Sequence, residues 1–205
     1  RGIVLVFDEC TSGFRQTFGG IHQLYGIEPD LAVYGKALGN GFAITAVVGR
    51  SEVMDCAQSS FISSTFWTER SGPAAALVTL DLMHQERSWD VITARGNIIK
   101  DRWHGLSKKY DLGLKISGLP ALATFSFPSS DADALQTLFT QEMLKKHFLA
   151  TGSVYVSMAH NCEIIDAYFD AAEPVFELVG QCLHGRSYSD LLEGPIKNSG
   201  FSRLN

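Results

Sequence analysis

The chain has 205 residues, 45% of them hydrophobic and 19% charged, with a formal net charge of -5. This composition is globular and long enough to bury a substantial core, as one large domain or two small ones. The acidic balance with no basic cluster excludes nucleic acid as an expected partner, and no apolar run reaches the ~20 residues of a membrane-spanning helix.

Residues 2–9, GIVLVFDE, are continuously apolar and then acidic. Val, Ile and Leu without alternation predict a strand covered on both faces, as in a parallel sheet. No signal peptide is expected, because the first residues already read as core strand. A domain seldom opens on its most apolar strand, and the first residue is arginine, so a chain continuing upstream is expected, with apolar surface left around Val4, Val6 and Phe7. Residues 11–20, TSGFRQTFGG, carry turn-forming glycines and read as loop. Residues 29–41, PDLAVYGKALGNG, read as a second short buried strand entering a glycine-rich turn, and ITAVVGR at 44–50 as a third strand.

A helix is expected to start near Pro73. A longer amphipathic helix is expected from Trp89 to about Tyr110, where Val91, Ile92, Ile98, Ile99, Trp103 and Leu106 recur at threes and fours. After it the pattern changes. Residues 113–128 predict two short strands, 131–148 a helix capped by Asp131 or Asp133, 152–160 a strand and 162–183 a helix. This is a small α/β unit, so two domains are expected, 1–110 and 111–205. The polar tail 193–205 is expected to be loosely held.

Cys10, Cys56, Cys162 and Cys182 show no CxxC pairing. They read as free thiols of a cytoplasmic protein. The histidines, such as His84, His147 and His160, lack metal-ligand spacing.

Lys36 is the only lysine among the first 99 residues; the other seven begin at Lys100. In an open α/β sheet, ligands bind outside the carboxyl ends of the strands. Asp8 and Lys36 each sit at such an end. An amine beside an acid suits pyridoxal phosphate chemistry: the amine forms a Schiff base, and the carboxylate keeps the ring nitrogen protonated so that the ring withdraws electrons. By position alone Lys36 equally suits a lysine snorkelling from a strand end. Asp8 with Glu9, taken alone, better suits a helix cap or a surface pair, since acids after strands are common.

Four stretches together are more specific: VLVFDECTSGFR (4–15), PDLAVYGKALGNGFAITAVVGR (29–50), SSTFWTERSGPAAALVTL (63–80) and LATGSVYVSMAHNCEIIDAYFDAAE (149–173). They resemble the class III branch of the fold-type I pyridoxal-phosphate aminotransferases, nearest to glutamate-1-semialdehyde 2,1-aminomutase-like proteins. The resemblance implies an α/β fold: the C-terminal part of a large domain with a mostly parallel sheet and helices, plus a small α/β C-terminal domain. It implies amino-group transfer between small-molecule donors and acceptors, or within one substrate, by a homodimer.

Residue by residue, the resemblance implies that a buried Lys36 forms the Schiff base and shuttles the proton, and that Asp8 pairs with the ring nitrogen. Cys10 stands where the family usually has valine, against one ring face, and Thr11 near the ring's phenolic oxygen. Thr65 matches a threonine that reaches the phosphate of the neighbouring subunit's cofactor, although a turn or cap hydroxyl is its equal alternative. Arg15 reads as a structural ion-pair residue. TFWTERSGP departs from the small-residue pattern of the aminomutases. The family's phosphate-holding turn and ring-stacking aromatic belong upstream of the aspartate strand, outside this sequence. Two rivals remain: a fold-type I decarboxylase or racemase, and a non-catalytic dimerisation or scaffold unit.

Overall fold

The computed structural model describes residues 2–65 and 67–199. The chain divides into two units, Arg1–Thr93 and Ala94–Asn205.

In the first unit three strands form one sheet: β1 (Val6–Asp8), β2 (Leu31–Tyr34) and β3 (Ala46–Gly49), in that order. β1 runs parallel to β2 with Asp8 opposite Val33, and β3 runs antiparallel to β2 with Ala46 opposite Tyr34. Two helices follow, α1 (Ser51–Met54) and α2 (Ser71–Glu86). Side chains alternate across a strand, so Ala32 and Tyr34 of β2 fall on one face. They are buried there with Leu38 and Ala76, and Phe14, Ile44, Ala46 and Leu80 pack against them.

The expectation of a long first strand covered on both faces is corrected. Only Val6–Asp8 joins the ladder, and Ile3 is 79% and Val6 51% exposed. The reason is position: β1 lies at the sheet edge, beside a partner only four residues long. Upstream of it the backbone of Leu5 bonds Asp30, and its carbonyl also accepts from the Leu31 N–H at 3.1 Å. The Leu5 N–H donates to Asp30 Oδ2 at 2.8 Å, and the Asp30 N–H donates to the Leu5 carbonyl at 2.9 Å. Val4 and Val6 are exposed as anticipated, but Phe7 is half-buried, edge-on to the His22 ring.

Helix α3 (Ser88–Lys109) contains the division between the units, which therefore falls upstream of the expected residue 110. Its later turns pack within the second unit. A side chain at Gly96 would meet the Pro120 carbonyl at 1.9 Å, and Trp103 is fully buried edge-on to Phe125. Ile92, Ile99, Trp103 and Leu106 are buried as the periodicity requires, whereas Ile98 faces outward.

The rest of the second unit is β4 (Lys115–Ser117), β5 (Leu122–Ser126), α4 (Ala132–Lys145), β6 (Ser153–Tyr155) and α5 (Cys162–Leu183). The sheet order is β4-β5-β6, antiparallel throughout. Phe125 is the hub of its core, within 4.9–5.6 Å of the ring centres of Trp103, Phe127, Phe139 and Phe176. The α5 stripe Ile165, Phe169, Ala172, Val175, Phe176 and Val179 closes this core from one side. Asn161 caps α5, its side chain accepting from the Ile164 N–H at 2.9 Å.

Two expectations fail here. Asp131 stands at the N-cap position of α4 but accepts no cap bond from the helix, and Asp133 pairs instead with the Lys197 ammonium at 3.1 Å. The tail is not loose over its described part. The Gln141 amide donates to the Leu191 carbonyl and accepts from the Glu193 N–H, both at 2.8 Å, and the Lys197 N–H donates to Thr137 Oγ1 at 3.0 Å. Polar side chains of α4 satisfy the tail backbone where apolar burial is lacking. Residues 200–205 of that tail lie outside the described residues.

Candidate active site

Parallel pairing of β1 and β2 sends both chains out of the sheet on the same side. Asp8 is the last residue of β1, and Lys36 follows the end of β2 by two positions. The turn after β1 is tight. The Glu9 N–H donates to the Val33 carbonyl and the Gly13 N–H to the Glu9 carbonyl, both at 2.8 Å. A side chain at Gly13 would lie 2.7 Å from both the Glu9 carbonyl and the Tyr34 ring, so the turn closes only around glycine.

Lys36 opens a 3-10 turn, Lys36–Leu38, with φ +44, and Leu38 anchors that turn in the core. A left-handed backbone at a non-glycine residue costs about 1–3 kcal/mol and is retained where surrounding contacts determine it. Continued alternation along β2 would have carried Lys36 onto the buried face of Ala32 and Tyr34. The turn takes it off that face, so the expected burial is corrected: Lys36 is exposed. Its ammonium donates to the Thr11 hydroxyl.

Asp8, also exposed, accepts the Cys10 N–H at 3.0 Å on Oδ1. The Cys10 sulfur stands over Gly35, 3.6 Å from where a side chain there would begin. Partial burial pushes the Cys10 thiol above its ordinary value. A hydrogen bond to the Asp8 carboxylate and its charge push the same way, and the Lys36 charge opposes them. Asp8, Cys10, Thr11 and Lys36 thus occupy one small region at the carboxyl ends of two strands. Arg15 donates from Nε to the Thr11 carbonyl at 2.8 Å, which braces the turn from behind.

Thr65 makes no hydrogen bond to this cluster among the described residues, and it is exposed in the segment before α2. Nor does it cap α2: the Glu69 carboxylate accepts from the Ser71 and Gly72 N–H groups at 2.9 and 3.4 Å.

Sequence reasoning weighed a cap for the Asp8–Glu9 pair without singling out Glu9. Its carboxylate is 1% exposed and accepts from the Ser12 hydroxyl, the His22 N–H at 3.2 Å and His22 Nδ1 at 3.0 Å. Burial alone would raise this carboxyl. The bonds from Ser12, the Ile21 backbone and His22 outweigh it and hold the group below its ordinary value. Glu9 therefore caps the 3-10 helix Ile21–Tyr25 from a distance, the cap reading weighed for the Asp-Glu pair. The readable signal was Ser12 three positions after Glu9. Among the described residues no group of three His, Cys, Asp or Glu side chains could hold a metal ion, and no helix is long and apolar enough to cross a membrane.

Comparison with known proteins adds the following. The family model described as Aminotransferase class-III matches residues 1–172. A 3-aminobutyryl-CoA aminotransferase of Cloacimonas acidaminovorans is 34% identical over 139 residues, covering 67% of this chain and 34% of that protein. A glutamate-1-semialdehyde 2,1-aminomutase of Laribacter hongkongensis is 31% identical over 193 residues, covering 86% and 45%. The structure of the PLP (pyridoxal phosphate) internal aldimine form of a Sphingopyxis sp. MTA144 FumI protein superposes with a TM-score of 0.82 at 25% identity, covering 93% of this chain and 46% of that one. An omega-transaminase from Sphaerobacter thermophilus shares the fold at a TM-score of 0.78 and 21% identity, covering 88% and 45%. The chain spans less than half the length of each of these proteins.

Proposed function

The chain belongs to the class III aminotransferases, and on that footing we propose that it carries the lysine and the aspartate of a pyridoxal-phosphate-dependent amino-group transfer. The reaction moves an amino group between small-molecule donors and acceptors or within one substrate. The observation that carries this reading is the meeting of Lys36 and Asp8 at the carboxyl ends of β1 and β2, held by adjacent residues of a single turn.

The donor set fits the cofactor at two points. An exposed amine matches an aldehyde, and a carboxylate matches a ring nitrogen that must keep its proton. When bound, pyridoxal phosphate supplies an electrophilic carbonyl and an electron-withdrawing ring. Lys36 Nζ would hold that carbonyl as the amine nucleophile, and the same amine would serve as the base that moves a proton at the substrate carbon. Asp8 would hold the ring N–H in a charge-assisted hydrogen bond. Cys10 offers a small apolar surface where the thiol covers Gly35, and Thr11 presents its hydroxyl beside the amine.

The reading extends to a homodimer. Leu77, Val78 and Leu82 form an exposed apolar face on α2, and Trp67 and Thr65 are exposed just before it. A second copy seated on that face would bring Thr65 toward its partner's phosphate. Four unpaired thiols support a cytoplasmic location.

Adduct mapping tests the proposal. The protein is mixed with pyridoxal phosphate, reduced with borohydride, digested and sequenced by mass spectrometry. The expected pyridoxyl adduct is on Lys36. An adduct confined to other lysines, or none at all, would overturn the assignment and leave the scaffold reading.

A further inference from the structure

We infer that Thr11 is the positioning residue for the Lys36 amine, and that with Cys10 it keeps Lys36 and Asp8 as two separately bonded charges. The inference rests on the amino-transfer reading above for its consequence, and on geometry alone for the tether.

A lysine and an aspartate at neighbouring strand ends have an obvious alternative partner in each other. Paired directly, each would occupy the other's bonding atoms, and an incoming group would first have to separate them. Among the described residues no salt bridge joins the two. Consecutive residues of the turn satisfy them instead. Thr11 takes the ammonium on its hydroxyl, and Cys10 gives Asp8 its N–H at 3.0 Å.

Three further features make the tether a built one. Arg15 Nε bonds the Thr11 carbonyl at 2.8 Å and so fixes the backbone that carries the hydroxyl. Threonine is β-branched and stiff about its first side-chain torsion, which suits an acceptor that must stay put. The left-handed backbone at Lys36 turns the lysine off the buried face of β2, and the same turn is pinned in the core by Leu38. An exposed lysine otherwise samples many rotamers, and confinement to one region raises the effective concentration of its amine there.

The arrangement predicts opposite responses to two reagents when the hydroxyl is removed. Thr11→Val keeps shape and β-branching but loses the acceptor; Thr11→Ser keeps the acceptor. Trinitrobenzenesulfonate is a probe that the site does not recognise. In its reaction the lysine nitrogen bonds to the ring carbon, sulfite departs and the nitrogen loses a proton. Its rate at Lys36, read by peptide mapping without cofactor, should rise about tenfold in Thr11→Val, the scale of one net hydrogen bond. With pyridoxal phosphate a C=N bond replaces C=O, and the nitrogen's two protons leave with the oxygen as water. Borohydride-trapped capture of that reagent at Lys36 should slow about tenfold in the same variant. Thr11→Ser should restore both rates. A merely structural loss would not move the two reagents in opposite directions. Equal labelling of Lys36 in wild type and Thr11→Val would overturn the tether. Wild-type capture rates in Thr11→Val, with labelling raised, would overturn its role in positioning. If the wild type captures no pyridoxal phosphate at Lys36, the amino-transfer reading fails and the positioning role falls with it, while the labelling arm still decides the tether. If Thr11→Val does not fold, Thr11→Ala carries the same comparison.

Discussion

Lys36 and Thr11, 25 positions apart in sequence, meet through a hydrogen bond from ammonium to hydroxyl at the carboxyl ends of two parallel strands. The residue before Thr11 holds Asp8 through its backbone N–H. One turn thus bonds a lysine and an aspartate through adjacent residues, with no salt bridge between the two among the described residues.

Replacing Asp8 with asparagine should leave the fold intact, because Asn can still accept the Cys10 N–H. It cannot form the charged bond to a protonated ring nitrogen. A charge-assisted hydrogen bond contributes about 1.5–3 kcal/mol, so pyridoxal phosphate binding should weaken roughly 10- to 100-fold. Absorbance titration alongside far-ultraviolet circular dichroism checks this, and unchanged affinity would contradict the pairing.

Glu9 sets an acid limit on stability. Its carboxyl is held below the ordinary value in the folded state. The stabilisation is therefore complete above the unfolded pKa of about 4.3 and is lost as pH falls from there through the lower folded value. Glu9→Gln should cost about 1–3 kcal/mol at neutral pH, since Ser12 and His22 lose a charged acceptor. It should also flatten the fall in stability below about pH 4.3. Denaturant unfolding of both proteins across pH 3–7 measures the two slopes; parallel curves would refute the assignment.

The four thiols should alkylate in a definite order. Cys56 and Cys162 are exposed. Burial raises both Cys10 and Cys182, and Asp8 raises Cys10 further, so little thiolate is present at either near neutrality. Iodoacetamide at neutral pH, followed by mass spectrometry over time, should mark Cys56 and Cys162 first. Early modification of Cys10 would mean that its carboxylate contact is not maintained in solution.

Phe125→Ala should destabilise the second unit by about 3–5 kcal/mol, the usual cost of removing a fully packed aromatic. Ile98→Ala, on the outer side of α3, should stay within about 0.5 kcal/mol of wild type. Chemical denaturation separates the two. A similar loss for both would place Ile98 in a contact that its exposure does not reveal.

The parts legible in sequence were those with a strong period. α3 and α5 repeat apolar residues over six turns, and their buried stripes follow. Strand β1 was overestimated because an apolar run records how much a segment gains from burial, not whether a neighbour exists to bury it. The placement of Asp8 and Lys36 at strand ends was readable, because it follows from where apolar runs stop. The exposure of Lys36 was not, because a single left-handed residue decides it. The bond from the Lys36 ammonium to Thr11 was not legible, because a contact across 25 residues leaves no local trace. Glu9 was masked by its neighbour, since two adjacent acids after a strand look alike until the turn sends one inward.

The Gln141 clasp bears on which positions can drift. Its amide grips a carbonyl at 191 and an N–H at 193, and neither group belongs to a side chain. The recognition is blind to what those two residues are. Substitutions at Leu191 can therefore accumulate over generations while the strap stays seated, and those at Glu193 keep the clasp but forfeit its exposed carboxylate pair with Lys145 at 2.6 Å, provided proline does not remove the N–H at 193. Position 141 has no such latitude. A primary amide presents its acceptor and donor side by side on one planar head, and asparagine is one methylene shorter than glutamine, so even that change of length at 141 should be felt by the tail.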